Sequence, residues 1–253
     1  MLPNLRHQKI LEYLERNGSA TVLELVNEFG TSEMTIRRDL QALEKRYLLR
    51  RVHGGALSAR GSSYEPPYLT RVMEDIEEKR RIGKAAAALI KNGDSVSLDT
   101  GTTTLEVARN IVNISDLTVI THSFPIATLL VESLRNRLIC TGGILRMGEL
   151  SMTGDLAVRA YEQFYVDKLF LGVGGIDLKF GLTEFNLDDT LIKRSMIQNA
   201  REVIVVAVAT KFNHIAFTRV APLKVVSKII TDSSLDPAFL SLYEKEGVEI
   251  ILV

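Results

Sequence analysis

The chain of 253 residues contains a single cysteine, Cys140, so no disulfide can close within it and a secreted scaffold held by cross-links is excluded. Cys140 falls in the apolar run Leu138-Ile139-Cys140, where a buried, inert thiol is expected. No stretch approaches the ~20 uninterrupted apolar residues of a membrane span. Met1-Leu2-Pro3-Asn4 leads soon into charged residues with no apolar signal segment, so a cytoplasmic protein without a membrane partner is expected. Net charge is also lacking, since 31 basic residues balance 31 acidic ones and bulk charge points to no polyanionic partner. Four histidines, none at ligand spacing with cysteine or carboxylate partners, give no support for a metal centre. Nothing in the composition asks for a cofactor.

What is present is a local asymmetry. Residues 34–60 carry seven basic and two acidic side chains, the pattern of a nucleic-acid-binding segment or of a solvated surface. Ile10, Leu11 and Leu14 give a first helix its apolar stripe, and Asn17-Gly18 stops it. Thr21-Val22-Leu23-Glu24 reads as a capping box for a short second helix that ends near Phe29-Gly30. Ser32 is the N-cap expected for a third helix from Glu33 to about Lys45. Ile36, Leu40 and Leu43 form its buried face, while Met34, Arg38, Gln41 and Lys45 point away and Thr35 and Arg37 flank them. This is a helix-turn-helix, whose second helix enters the major groove. Arginine can pair with guanine through two hydrogen bonds, and threonine can meet a thymine methyl or a phosphate. The run Leu48 to Val52, the turn His53-Gly54-Gly55 and the return Ala56-Leu57-Ser58 read as a hairpin, here a wing. The DNA-contacting set expected from these patterns is Ser32, Met34, Thr35, Arg37, Arg38, Gln41, Lys45, Arg50, Arg51 and His53. The plainer alternative is a helical docking domain whose basic face meets only water. Agreement of cap, turn, outer-face chemistry and wing favours DNA.

Residues 1–58 are thus expected to form a winged helix-turn-helix, 59–69 a linker with Pro66-Pro67, and 70–253 a second domain. That domain should open with one long helix from about Thr70 to Ile90. Seven strand candidates follow: Val96–Asp99, Leu117–Thr121, Arg137–Thr141, Leu169–Val173, Val203–Val208, Lys228–Thr231 and Glu249–Val253. Helix-length segments separate most of them, so an α/β fold with a mainly parallel sheet covered on both faces is expected. Ligands of such sheets sit beyond the carboxyl ends of the strands. There the sequence places Asp99, Gly101, Thr102, Thr103 and Thr104 leading into a helix, then Gly142-Gly143, then Gly172 and Gly174. Glycine admits a close ligand, threonine donates hydrogen bonds, and a helix N-terminus favours an anion, so this reads as a phosphate cradle rather than simple threonine capping. Lys193 and Lys211 are the cations that could neutralise the anion, although either alone is more often a surface lysine.

Thr35-Ile36-Arg37-Arg38-Asp39-Leu40 followed by Arg51-Val52-His53-Gly54-Gly55-Ala56 closely resembles the signature of the DeoR family of bacterial sugar-metabolism regulators. The second domain resembles the family's sensor, itself similar in fold to ribose-5-phosphate isomerase. It matches at Asp99, Gly101, Thr102, Thr103, Gly142, Gly143, Asp167, Gly172, Gly174, Lys193, Arg194, Met196, Ile197, Lys211, Phe212 and Thr231-Asp232. The resemblance implies an operator-DNA partner, a sugar-phosphate effector held by these loops, and a homodimer or homotetramer. The expected function is repression of a carbohydrate-catabolism operon, released by a phosphorylated sugar. Departures occur at Thr31-Ser32, at Asp189-Thr190 and Ala209-Thr210, and at His122, which stands where asparagine is common. His122 either touches the effector or caps a helix. The alternative is a sugar-phosphate isomerase-like enzyme carrying a DNA-binding domain, with Asp99, Asp167, Glu184 and Asp189 as candidate bases. A DNA-binding module makes most sense beside a pocket that acts as a switch, so no catalytic residue is assigned.

Overall fold

The protein is described by a computed structural model covering residues 3–45, 48–58, 63–131 and 136–253. It divides into two compact units, 1–66 and 67–253.

In the first unit α1 (Pro3–Asn17) leads through β1 (Ser19–Thr21) to α2 (Val22–Phe29) and α3 (Glu33–Lys45), followed by β2 (Leu49–Val52) and β3 (Gly55–Ser58). Thr21 and Glu24 form the expected capping box, and Gly30 closes α2 in the left-handed conformation at φ 58°. Ile36, Leu40 and Leu43 pack with Ile10, Leu14, Leu25, Leu49 and Ala56 into one small core. The strands form an antiparallel sheet in the order β1-β3-β2. At the wing turn a Cβ on Gly55 would lie 2.2 Å from the Ala20 carbonyl oxygen, so only glycine lets β3 approach β1 this closely.

The second unit begins with α4 (Tyr68–Arg71) and α5 (Ile76–Ala87) rather than one helix from 70 to 90. Tyr68 and Leu69 therefore belong to a helix, not to a linker. The break has a clear cause. Asp75 adopts φ 48°, and the buried Lys79 ammonium donates to the carbonyls of Arg71 (2.7 Å) and Glu74, satisfying acceptors that a continuous helix would have paired. There follow β4 (Ser95–Leu98), α6 (Thr102–Ile111), β5 (Thr118–Thr121), α7 (Phe124–Leu130), β6 (Arg137–Cys140), β7 (Ile144–Arg146), β8 (Ser151–Thr153) and α8 (Asp155–Tyr161). Then come β9 (Val166–Leu171), β10 (Gly175–Asp177), β11 (Gly181–Glu184), α9 (Leu187–Gln198), β12 (Ala200–Val206), β13 (Thr218–Ala221), β14 (Lys228–Thr231), α10 (Pro237–Lys245) and β15 (Glu249–Leu252).

The seven expected strands make one sheet, ordered β15-β14-β12-β9-β4-β5-β6, and every pairing is parallel. Period-two alternation divides its apolar side chains between two cores. Leu169, Leu171, Val203, Val205 and Ile229 face a core with Ile192, Met196 and Tyr243, from α9 and α10. Phe170, Ile204, Val206 and Ile230 face the opposite one with Ile82, Val107, Ala108 and Ile126, from α5, α6 and α7. Helices thus cover both faces, as the unbroken apolar strands demand. Two smaller antiparallel sheets, β7-β8 and β10-β11-β13, were not anticipated. Cys140 is exposed rather than buried, because β6 is the outermost strand of the sheet and its ends lie open.

Candidate DNA-binding face and effector site

The outer face of α3 presents its polar side chains as the helical period requires. The Thr35 amide donates to Ser32 Oγ (3.3 Å), which caps the helix, and the two hydroxyls lie 2.9 Å apart. Met34 is 72% exposed, and Arg38 and Gln41 are exposed without a polar side-chain partner among the described residues. Arg37 is held by Glu33 at 3.3 Å, one turn earlier. Lys45 closes α3, but its side chain lies outside the described residues. On the wing, Arg50 and His53 are exposed, whereas Arg51 is drawn to Glu44 of α3, 3.6 Å between side chains, with its amide donating to the same carboxylate at 3.1 Å.

One residue of this unit escaped sequence reasoning. Asp39 is buried and accepts from Arg6 Nε (2.5 Å) while lying 2.9 Å from His7 Nε2. It points inward between the exposed Arg38 and the core residue Leu40, and ties α3 to α1. Only the break in polarity of the inner face hinted at it.

In the second unit the strand order places the topological switch between β4 and β9: from β4 the chain winds one way through β5 and β6, then the other way through β9, β12, β14 and β15. Ligand crevices of doubly wound sheets open at such a point. Asp99 directly follows β4 there and is fully buried. Its Oδ2 accepts from the Gly172 amide (2.9 Å) just past β9, and from the Lys193 ammonium of α9. Lys193 also meets Glu184 Oε2 at 3.2 Å and donates to the Gly172 carbonyl at 2.9 Å. Burial pushes the Asp99 carboxyl up to about 6, with Lys193 opposing. Burial alone would lower the Lys193 ammonium, but the charges of Asp99 and Glu184 outweigh it and hold the pKa raised. Lys193 is therefore a buried counter-ion of two carboxylates, not a free cation waiting for phosphate.

His122 follows β5 and is wholly buried. It caps no helix, since Ser123 accepts from the Ile126 amide at the start of α7. Its Nδ1 lies 3.0 Å from the Tyr161 hydroxyl and its Nε2 3.6 Å from Asp99 Oδ1. Burial, and then the Lys193 charge, lower it to about 3, so it is neutral. Asp99 Oδ1, His122 Nε2 and Thr100 Oγ1 are buried without a hydrogen-bond partner among the described residues. Buried polar atoms are ordinarily hydrogen-bonded, so three without a partner beside one another set this centre apart from simple packing.

The remaining expected residues fall around this centre. Gly101, at φ 136°, turns the chain into α6, whose start has no side-chain cap. Thr102 is buried and Thr103 partly so; the Thr104 hydroxyl donates back to the Gly101 carbonyl (2.9 Å) and locks the turn. A Cβ on Gly174 would sit 3.0 Å from Glu184 Oε1. Gly142 and Gly143 lead from β6 into β7, two strands away from β4. Lys211 ends a short turn after β12, its ammonium 5.5 Å over the Phe185 ring beside Glu184. A groove of about 250 Å³ nearby, lined by residues that include Ala209, Phe212 and Asp236, contains none of the expected effector residues. Asp167 lies at the opposite end of the sheet, accepting from the Ser95 amide (2.9 Å) and hydroxyl (2.6 Å). Asp189 is buried against Arg146 (2.7 Å) and Ser151 (3.3 Å). Tyr161 and Arg146 were not foreseen, because the segments between strands carry no pattern that says which residue turns inward.

A winged helix-turn-helix on one chain with a doubly wound α/β unit is the build of a two-domain transcriptional regulator. Residues 6–61 match the DeoR-like helix-turn-helix domain and residues 74–233 the DeoR C-terminal sensor domain. The chain belongs to the DeoR family of transcriptional regulators. The HTH-type transcriptional regulator YulB of Bacillus subtilis (strain 168) is 38% identical over 253 residues, covering 100% of this chain and 98% of that one. The glycerol-3-phosphate regulon repressor of Escherichia coli (strain K12) is 35% identical over 228 residues, covering 90% of each chain. Ribose 5-phosphate isomerase A of Methanocaldococcus jannaschii covers 55% of each chain at 19% identity and a TM-score of 0.41, too distant to bear on chemistry. The two relatives, matched over 90% or more of the chain, are named as a transcriptional regulator and a repressor, in keeping with a chain that is a regulator by family. Among the described residues no helix is long and apolar enough to cross a membrane.

Proposed function

We propose that the chain is a repressor of a carbohydrate-catabolism operon that leaves its operator when a phosphorylated sugar binds at the switch point. The winged helix-turn-helix of residues 1–58 holds DNA, the residues up to Pro66 connect, and residues 67–253 sense. The observation that carries the reading is the buried Asp99–Lys193–Glu184 cluster set beside the uncapped start of α6 at the switch point. An anion there meets the free amides of α6, with Thr102, Thr103 and Lys211 as further donors. Asp99 and His122 offer unpaired polar atoms to sugar hydroxyls. A homodimer or homotetramer in the cytoplasm places two copies of α3 on repeated half-sites.

The test uses a duplex selected by the protein from a random-sequence library. Glucose 6-phosphate, fructose 1-phosphate, fructose 6-phosphate, ribose 5-phosphate and glycerol 3-phosphate are then titrated against that complex. At least one should release the DNA while the unphosphorylated sugars do not; no release by any of them defeats the proposal. Arg38→Ala should weaken duplex binding by about 1–3 kcal/mol, a lost base contact, and leave the thermal shift induced by the sugar phosphate unchanged. A gel-shift titration at fixed salt checks it, and wild-type affinity removes Arg38 from the reading face.

A further inference from the structure

The β7–β8 hairpin is gripped by buried charges from two directions. At its turn, Glu149 is 2% exposed and pairs with Arg71 of α4, while the Gly148 carbonyl accepts from the Tyr68 amide at 2.8 Å. At its stem, Arg146 meets Asp189 at 2.7 Å and Ser151 meets the same carboxylate at 3.3 Å. Its return strand donates from Met152 to the His122 carbonyl (2.7 Å), and Leu150 accepts from Phe124 (2.9 Å). The hairpin therefore touches both arms of the switch-point centre: His122 faces Asp99, and Asp189 lies one turn before Lys193 on α9.

The other end of this chain of contacts is α4, the first element of the sensor unit. Pro66 and Pro67 precede it, and Pro67 takes φ −53°, ψ 145°, an extended conformation at the φ that its ring imposes. Two consecutive prolines stiffen the chain immediately before α4, so a displacement of α4 carries Pro66 and Pro67 with it. A buried ion pair stabilises little compared with apolar packing of the same volume, but it does hold its partners in one arrangement. We propose that the Arg71–Glu149 pair is the contact through which the switch-point site acts on α4, and so on the chain leading to the DNA-binding unit. This rests on the proposed effector site. In sequence, a ligand engaging Asp99 shifts Lys193, α9 carries Asp189 with it, Arg146 follows, and the hairpin moves Glu149 against Arg71.

The experiment compares the full-length protein with Arg71→Met/Glu149→Gln, which removes both charges and leaves neither buried alone. Duplex affinity should stay within about twofold of wild type, and the thermal shift with the sugar phosphates named above should persist. Release of the duplex should move to at least tenfold higher sugar-phosphate concentration, the size of an ordinary coupling energy. Release at the wild-type concentration overturns the proposal. Should the double variant not fold, Glu149→Gln alone is read in the same way. Should no sugar phosphate release the wild type, the effector reading has failed, and amide exchange decides the coupling separately. Binding of the selected duplex should then change exchange in residues 144–153 of the wild type and not of the variant. Unchanged exchange in the wild type, or an equal change in both, overturns the coupling.

Discussion

Lys193→Met should lower the stability of the C-terminal unit by about 3–5 kcal/mol, the cost of removing one partner from a buried ion pair. The side chain is 2% exposed and faces Asp99 and Glu184 with one charge, so the variant leaves two carboxylates in a dry site without a counter-ion. For a unit of this size the midpoint of thermal unfolding should drop by roughly 10 °C. The deficit should depend on pH. Burial already holds Asp99 at about 6, above its ordinary value of 3.8, and without Lys193 the carboxyl rises further. A carboxyl that binds its proton more tightly folded than unfolded loses stability as pH rises through the gap between the two values. The variant should therefore recover part of its loss as pH falls towards about 6. Calorimetry at pH 5 and pH 7.5 checks both statements. A variant as stable as the wild type at pH 7.5 would show that water or a rearranged side chain reaches the cluster.

Asp39→Ala should act on the other unit. It takes the Asp39 carboxylate from the Arg6 guanidinium and from His7, and so removes a charged link between α1 and the inner face of α3. About 3 kcal/mol is expected, the low end for a broken buried pair, because so small a unit keeps Arg6 near solvent. A domain of some sixty residues has little stability to lose, so operator binding should disappear together with the folded recognition helix. The C-terminal transition should be unaffected, and Asp39→Asn should restore part of the loss by keeping an acceptor for Arg6. Circular dichroism melts with gel-shift titration measure this. Retained DNA binding in Asp39→Ala would mean that the apolar contacts of Ile36, Leu40 and Leu43 orient α3 without help.

Much of this protein was legible in the amino-acid order because the physics that shapes those parts is local. The Thr21–Glu24 box spans four residues and shows itself in the sequence, as do the left-handed Gly30 and the i, i+4, i+7 stripe on α3. The parallel strands were legible for a related reason: a strand buried on both faces is an unbroken apolar run, whatever it pairs with. The short antiparallel strands were not. β7, β8 and β10 have three residues each, too few to reveal a period. Nor did the sequence by itself decide what the charged residues do. Lys193 reads as a phosphate ligand beside a glycine-rich loop, yet its partner Asp99 is 94 residues away. Asp39 stands in the sequence between the outward Arg38 and the core residue Leu40 with no stated role, yet it turns inward to Arg6, 33 residues earlier. Helical and strand periods tell which face a residue occupies, but a charge takes its role from what the fold brings opposite it. That opposition, set by strand order and by the packing of α9 across the sheet, exists only in the tertiary structure.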